Sequence, residues 1–192
     1  MILVADRHQD AEGLLGELYQ PRDRDPHGLP HLLGGAQEPA SLEPERRSSG
    51  ERNIARLACW LNTVPAPGPR RARRPRPPIW HCMVRADPGD DPLSDAQWHQ
   101  IAARIMEQAG LGGSMPGWVP RWVAVRHGRD HVHIIAALPG AASMRSYRRI
   151  LSLARDACHD AAEQYGLTGT CQVTAPARAA PPGRPRLACR YG

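Results

Sequence analysis

The residues best suited to chemistry are three histidines in one short segment, RHGRDHVHIIAAL, at positions 127, 131 and 133. Side chains alternate faces along a β-strand, so His131 and His133 project from the same face. If residues 128–130 form the loop of a hairpin, His127 lies opposite His131, with Cβ atoms about 4.5–5.5 Å apart. The segment therefore predicts three imidazoles on one patch of a sheet.

Three neutral imidazole nitrogens on rigid strands form a ligand set for one divalent metal ion, with positions left open for substrate oxygens. His127, His131 and His133 are the predicted metal ligands, and Mg²⁺ or Mn²⁺ is the expected ion. Asp130 beside them is a candidate for orienting a ligand ring or accepting a proton. Its alternative role is that of an ordinary turn residue.

A metal ion that polarises a phosphodiester needs an attacking group, which is either a bound water or a side-chain oxygen. Tyr147 and Tyr165 belong to the apolar stripe of a predicted helix, and Tyr191 lies in the C-terminal segment. Tyr19 is the remaining tyrosine and stands beside polar sequence. The attacking group is therefore Tyr19 or a bound water.

Hydrophobic periodicity predicts the elements that must position these side chains. Strands are predicted over residues 1–5, 31–33, 79–85, 122–126 and 132–138, and helices over residues 13–19, 51–61, 94–109 and 143–165. The strands at 122–126 and 132–138 are too close in sequence for a parallel crossover and must form an antiparallel hairpin. We therefore expect an α+β fold, with a mostly antiparallel sheet, helices packed on one face and the metal site on the other.

The chain has 192 residues, a net charge of +6 and a hydrophobic fraction of 41%. Its length fits one domain, and its composition excludes wholesale disorder. All 25 basic residues are arginines, a bias typical of GC-rich coding sequence, yet the positive field still favours a polyanion such as nucleic acid as partner. No apolar run approaches the roughly 18 residues of a membrane span, so we expect no membrane insertion and a cytoplasmic location.

Two segments differ from the rest in composition. Residues 65–78 (PAPGPRRARRPRPP) contain prolines and arginines but no acidic residue, which predicts an exposed basic loop. Residues 168–192 also lack acidic residues and periodicity, so they are predicted to be a disordered basic tail. The predicted domain is thus residues 1–167.

The histidine segment resembles the His-hydrophobe-His motif of the relaxase/mobilisation nuclease family of HUH endonucleases, particularly its compact actinobacterial-type members. Upstream, WHCMVRADPGDDPLSDAQW resembles the strand, loop and helix before that motif, and YRRILSLARDACHDAAEQYGL resembles the helix after it. GLLGELYQP and HGLPHLL are similar to the family's tyrosine motif and His-rich loop. The resemblance covers roughly residues 1–175 and is most specific over 121–138.

The resemblance implies a palm-like sheet and a metal-dependent enzyme that nicks one strand of a plasmid transfer origin during conjugative mobilisation. Tyr19 would be the nucleophile that forms a 5′-phosphotyrosine, with the three histidines as metal ligands. Apart from the resemblance, the phenol must lose its proton, and the metal or a catalytic carboxylate such as Asp130 or Glu17 would assist that step. The implied partners are single-stranded or supercoiled origin DNA, together with accessory mobilisation and coupling proteins. The implied DNA contacts are made by arginines, for which the candidates are Arg70, Arg71, Arg73, Arg74, Arg126 and Arg129.

One position departs from the family pattern. Family members often have a tyrosine two positions before Tyr19, where this chain has Glu17. A catalytically degenerate, relaxase-like DNA-binding protein is therefore one alternative function. Another is a metal-dependent phosphoester hydrolase that uses water and forms no covalent intermediate.

Overall fold

The computed structural model of the chain describes residues 1–20, 30–36, 39–63, 77–113, 120–138, 144–168 and 172–174. Helices in these ranges are α1 (Ala11–Leu18), α2 (Pro39–Leu42), α3 (Ala55–Asn62), α4 (Asp95–Gln108) and α5 (Met144–Gln164). The strands are β1 (Ile2–His8), β2 (His31–Gly35), β3 (Glu45–Arg46), β4 (Arg52–Asn53), β5 (Ile79–Arg85), β6 (Trp122–Arg126), β7 (His131–Ala137) and β8 (Gln172–Thr174).

The predicted α+β class with a mostly antiparallel sheet is confirmed. Six strands form the main sheet in the order β2-β6-β7-β5-β1-β8, and β3 pairs separately with β4. The pairs β2–β6, β6–β7, β7–β5 and β5–β1 are antiparallel, whereas β8 runs parallel to β1. The strand β7 that carries two of the histidines is therefore central, with β6 and β5 on its two sides.

Alternation along the central strands gives the sheet two different faces. Val132, Ile134 and Ala136 of β7 face the larger core, where they pack with the buried residues of α4 and α5. This core was expected from the apolar stripes of those two helices, and the predicted stripe of α4 is buried as expected: Trp98, Ile101, Ala102, Ile105 and Met106.

The opposite face, which carries the histidines, is covered in part by helices as well. Leu14, Leu15 and Leu18 of α1 and Leu57 and Leu61 of α3 form a second core there with sheet residues that include Val125 and Ile135. The expectation that helices pack on one face only is therefore wrong. Both short helices have an apolar stripe that must be buried, and the α4–α5 face is already filled.

Local signals explain where α4 begins and ends. Ser94 Oγ accepts a hydrogen bond from the Gln97 backbone N–H, and Gln97 Oε1 accepts one from the Ser94 N–H, which completes a capping box. Gly110 follows the helix with a φ of +72°, a conformation that glycine adopts without strain. The sequence-predicted start and end of this helix are thus confirmed.

Three differences from the predicted boundaries follow from strand pairing. Strand β1 extends to His8, because its whole length pairs with β5. Helix α3 begins only at Ala55, since Arg52 and Asn53 pair with β3. Gln172–Thr174, within the predicted tail, pair with β1 as β8, so the sheet includes residues beyond 167. Residues 169–171 and 175–192 of that tail, and residues 65–76 of the basic loop, lie outside the described residues.

Within the described residues, every helix is too short or too polar to cross a lipid bilayer.

Gly34 allows β2 to pack closely against α4, which makes it sensitive to substitution. A Cβ at this position would clash with the His99 ring, whose Nδ1 lies 3.1 Å from the Leu33 carbonyl oxygen. We expect Gly34→Ala to lower the free energy of unfolding by about 1–3 kcal/mol, measured by urea denaturation. Gly13→Ala is the matched control, because its Cβ meets no atom within 4 Å and alanine favours the helix. Equal stability of the two variants would contradict the prediction.

Candidate metal centre

The β6–β7 hairpin brings the three histidines together on one face. Val125 pairs with His133 and Arg126 with Val132, which is the predicted register. The ring centroids of His127, His131 and His133 are separated by 5.3–5.5 Å. His127 and His133 are only 8% and 7% exposed, so these rings are withdrawn from bulk water.

The spacing of the ring nitrogens fits one metal ion. Each of His127, His131 and His133 offers one nitrogen, and these three atoms all lie within 4.8 Å of one another. Nε2 of His131 is 3.4 Å from Nδ1 of His127. Metal–nitrogen bonds of about 2.0–2.1 Å place neighbouring ligand nitrogens roughly 3–3.5 Å apart, so small ring rotations complete the site. The His cluster can therefore hold a metal ion.

Asp130 orients the ring of His131. Its Oδ1 lies 2.8 Å from Nδ1 of His131, and its Oδ2 accepts a 2.6 Å hydrogen bond from Nε of Arg85. Burial opposes the charged form of this carboxyl, but the hydrogen bonds from His131 and Arg85 outweigh it and lower the pKa of Asp130. Asp130 is thus an anionic acceptor for an Nδ1–H of His131, which leaves Nε2 of that ring as the metal-binding nitrogen.

His81 of β5 contacts the ring of His133. Its Nε2 lies 2.8 Å from Nδ1 of His133, and the planes of the two rings differ by only 12°, with centroids 5.1 Å apart. Burial lowers the pKa of His81 to about 4, and the neighbouring His8 contributes to the shift while Asp6 opposes it. His81 is therefore a neutral imidazole at pH 7.

The structure places Arg126, one of the predicted DNA contacts, away from the histidines. It alternates with Val125 and His127, so its side chain points to the α4 face, away from the histidines. Its guanidinium donates to the Leu93, Gly128 and Arg129 carbonyl oxygens and forms an ion pair with Asp95. Its side chain is only 16% exposed. Arg126 therefore fixes the hairpin turn to α4.

The other predicted arginines differ in their positions. Arg129 is exposed and lines an open cleft of about 440 Å³ that also reaches Arg85, Asp130 and His131. His131 therefore belongs to the histidine cluster and also lines this cleft. The four arginines predicted to contact DNA from the basic loop lie outside the described residues: Arg70, Arg71, Arg73 and Arg74.

Tyr19 lies on the same side of the sheet as the histidines, but its ring is buried. It follows α1, is 5% exposed and packs in the second core. Its hydroxyl is buried and makes no hydrogen bond within the described chain. Burial raises the pKa of the phenol above its usual value, and the nearby Glu43 carboxylate adds to the rise, although Arg52 opposes it. In this conformation Tyr19 is a protonated core residue.

Sequence reasoning missed two residues that contribute to the site. They are Arg85, which pairs with Asp130, and His81, which contacts His133. Both residues stand on the Ile79–Met83 face of β5, and that alternation was visible in the sequence. The pairing of β5 with β7 was not visible, because the two strands are separated by α4 and β6. Without that pairing, nothing in the sequence connects position 81 or 85 with the histidines.

Gly128 leaves room for the His131 ring, which gives a direct test of the site's geometry. A Cβ at position 128 would lie 2.6 Å from Cε1 of His131. Gly128→Ala should therefore displace this ring and weaken divalent metal binding at least tenfold, measured by titration with Co²⁺. Gly89→Ala, in the loop after β5, is the control and should bind normally. Wild-type affinity in Gly128→Ala would show that His131 is not held as described.

Compared with known proteins, the chain matches no family model, no curated protein and no solved structure.

Proposed function

We propose that the chain is a metal-dependent DNA relaxase that cuts one strand at a specific site of a plasmid transfer origin. The observation that carries the proposal is the convergence of three imidazole nitrogens on one face of a central hairpin. A three-nitrogen site leaves coordination positions for the oxygens of a phosphodiester. When bound, the ion withdraws charge from the scissile phosphate.

The donor set bears on which ion is bound. Imidazole nitrogens suit transition metals such as Zn, Ni and Fe, whereas Mg²⁺ prefers carboxylate, carbonyl and water oxygens. All three grouped ligands are histidines. Of the two ions expected from the sequence, Mg²⁺ is therefore the poorer match, and Mn²⁺ together with the later transition metals should be tested first.

The covalent step that we propose uses Tyr19. Its hydroxyl oxygen attacks the phosphorus, the bond from phosphorus to the 3′ oxygen breaks, and the products are a 5′-phosphotyrosine and a free 3′-hydroxyl. The phenol must lose its proton, and the leaving 3′ oxygen must gain one. Because the phenol is buried, the ring must first leave the second core, and its place at the C-terminal end of α1 makes such a rearrangement local.

Single-stranded DNA would lie across the histidine face and continue into the cleft beside His131. Arg129 is exposed in that cleft, and the net charge of +6 attracts the phosphate backbone. Arg85 is already paired with Asp130, so its contribution to phosphate binding is smaller. Accessory mobilisation and coupling proteins remain proposed partners of the same reaction.

A second candidate function is DNA binding without a covalent step. The burial and raised pKa of Tyr19 favour it, because both disfavour a phenolate at the metal centre. Position 17, where members of the relaxase family that the sequence resembles often have a tyrosine, is an exposed glutamate. In this case the chain would occupy the origin sequence and would not cut it.

A nicking assay separates these functions. Supercoiled plasmid carrying the DNA that flanks the chain's own gene is incubated with protein and Mn²⁺, Zn²⁺ or Co²⁺, and the products are run with and without protease treatment. A relaxase gives nicked plasmid whose cut strand carries covalently attached protein. This strand migrates more slowly on the gel until protease digests the protein. Nicks without attached protein indicate a water-using hydrolase. A bound but intact plasmid indicates the DNA-binding function.

A further inference from the structure

We propose that His81 is a positioning residue that prepares His133 for metal binding, by accepting a hydrogen bond from the Nδ1–H of that ring. The inference rests on the proposed metal site but not on the nicking reaction. The planes of the two rings differ by only 12°, and the 2.8 Å contact joins Nε2 of His81 to Nδ1 of His133. Only one nitrogen of His133 faces His81, and the other is left for the metal ion.

The direction of this hydrogen bond decides whether His133 can bind metal. A neutral imidazole carries one N–H and one lone pair. If Nδ1 of His133 donates to His81, its Nε2 has the lone pair that a metal requires. If His81 donated instead, the proton of His133 would sit on Nε2 and block coordination. A metal-ready His133 therefore requires His81 to be the acceptor.

The surroundings of His81 favour the acceptor role. Asp6 lies directly opposite His81 in the β1–β5 pairing, so its carboxylate shares that face beside the ring. This negative charge favours an N–H on the nitrogen of His81 that does not face His133, which leaves Nε2 with its lone pair. The ring of His8 also contacts His81: the two rings are tilted to each other, and their centroids lie 5.5 Å apart.

His81 and Asp130 then perform the same task for different ligands. Asp130 holds the Nδ1 of His131, and His81 holds the Nδ1 of His133. Both ligand rings are fixed in one tautomer before the metal arrives, which reduces the cost of binding. An imidazole acceptor, unlike a carboxylate, orients its ligand without adding a second negative charge to the site.

Two substitutions at position 81 separate hydrogen bonding from packing. His81→Leu fills the space but cannot accept a hydrogen bond, whereas Oε1 of His81→Gln can reach the place of Nε2. We expect Co²⁺, followed by its visible absorption, to bind about 10–100-fold more weakly to His81→Leu and within about threefold of wild type to His81→Gln. His99→Leu is the matched control, since His99 of α4 is a partly buried imidazole that is hydrogen-bonded to the backbone carbonyl of Leu33.

Nitrogen NMR of the metal-free wild-type chain gives an independent answer, even if His81→Leu fails to fold. The inference expects His133 as the Nδ1–H tautomer, and an Nε2–H tautomer would overturn it. Wild-type Co²⁺ affinity in His81→Leu would also overturn it. A wild-type chain that binds no Co²⁺ overturns both this inference and the metal site. A chain that binds Co²⁺ but never nicks DNA overturns only the proposed function.

Discussion

Replacing His131 and His133 together with alanine is expected to abolish divalent metal binding and to leave the sheet folded. The double substitution removes two of the three clustered nitrogens, and a single imidazole binds metal only weakly. Equilibrium dialysis against Mn²⁺ or Co²⁺ should find about one ion per wild-type chain and none per double-mutant chain.

The fold should survive because the two rings contribute little to either core. Both project from the end of the hairpin face that the second core does not fill, and they contact mainly other histidines. We expect the free energy of unfolding to fall by about 1–3 kcal/mol. His159→Ala, on the exposed side of α5, is the control and should keep full stoichiometry. Unchanged metal content in a folded double mutant would eliminate the site.

The hairpin could be predicted from the sequence because every constraint on it is local. The short turn forces antiparallel pairing, and alternation then fixes which side chains share a face. The same rule was sufficient to exclude Arg126 from the histidine face, since it directly precedes His127. The prediction of Arg126 as a DNA contact followed its charge alone, and its place in the strand sets its side chain on the α4 face.

Other parts of the site depend on contacts that local patterns do not encode. The hydrogen bond of His81 requires that β5 pair with β7, and the ion pair of Arg85 with Asp130 requires the same pairing. The burial of Tyr19 depends on the second core, in which α1 packs against α3 and which also includes Leu32 of β2. Polar sequence after Tyr19 suggested an accessible phenol, but long-range packing overrides that local signal.

Tyr19→Phe is expected to abolish covalent attachment of the chain to single-stranded origin DNA while metal and DNA binding stay unchanged. The substitution removes only the oxygen that would attack the phosphorus. It should not destabilise the fold, because the wild-type hydroxyl is buried without a hydrogen-bond partner in the described chain. We expect the free energy of unfolding to stay constant or rise by about 1 kcal/mol. Denaturing gels of labelled oligonucleotide report the adduct, and urea denaturation reports the stability.

Tyr147→Phe is the matched control, because Tyr147 is partly buried against the α4–α5 core on the opposite face of the sheet. It should form the adduct as wild type does. Since burial raises the pKa of the Tyr19 phenol, the wild-type reaction needs the ring to leave the second core, and DNA that displaces it should expose Tyr19 to modification by tetranitromethane. An adduct in Tyr19→Phe would show that another group attacks the phosphate. A wild-type chain that binds origin DNA but forms no adduct with Mn²⁺, Zn²⁺ or Co²⁺ would establish the DNA-binding function in place of the relaxase.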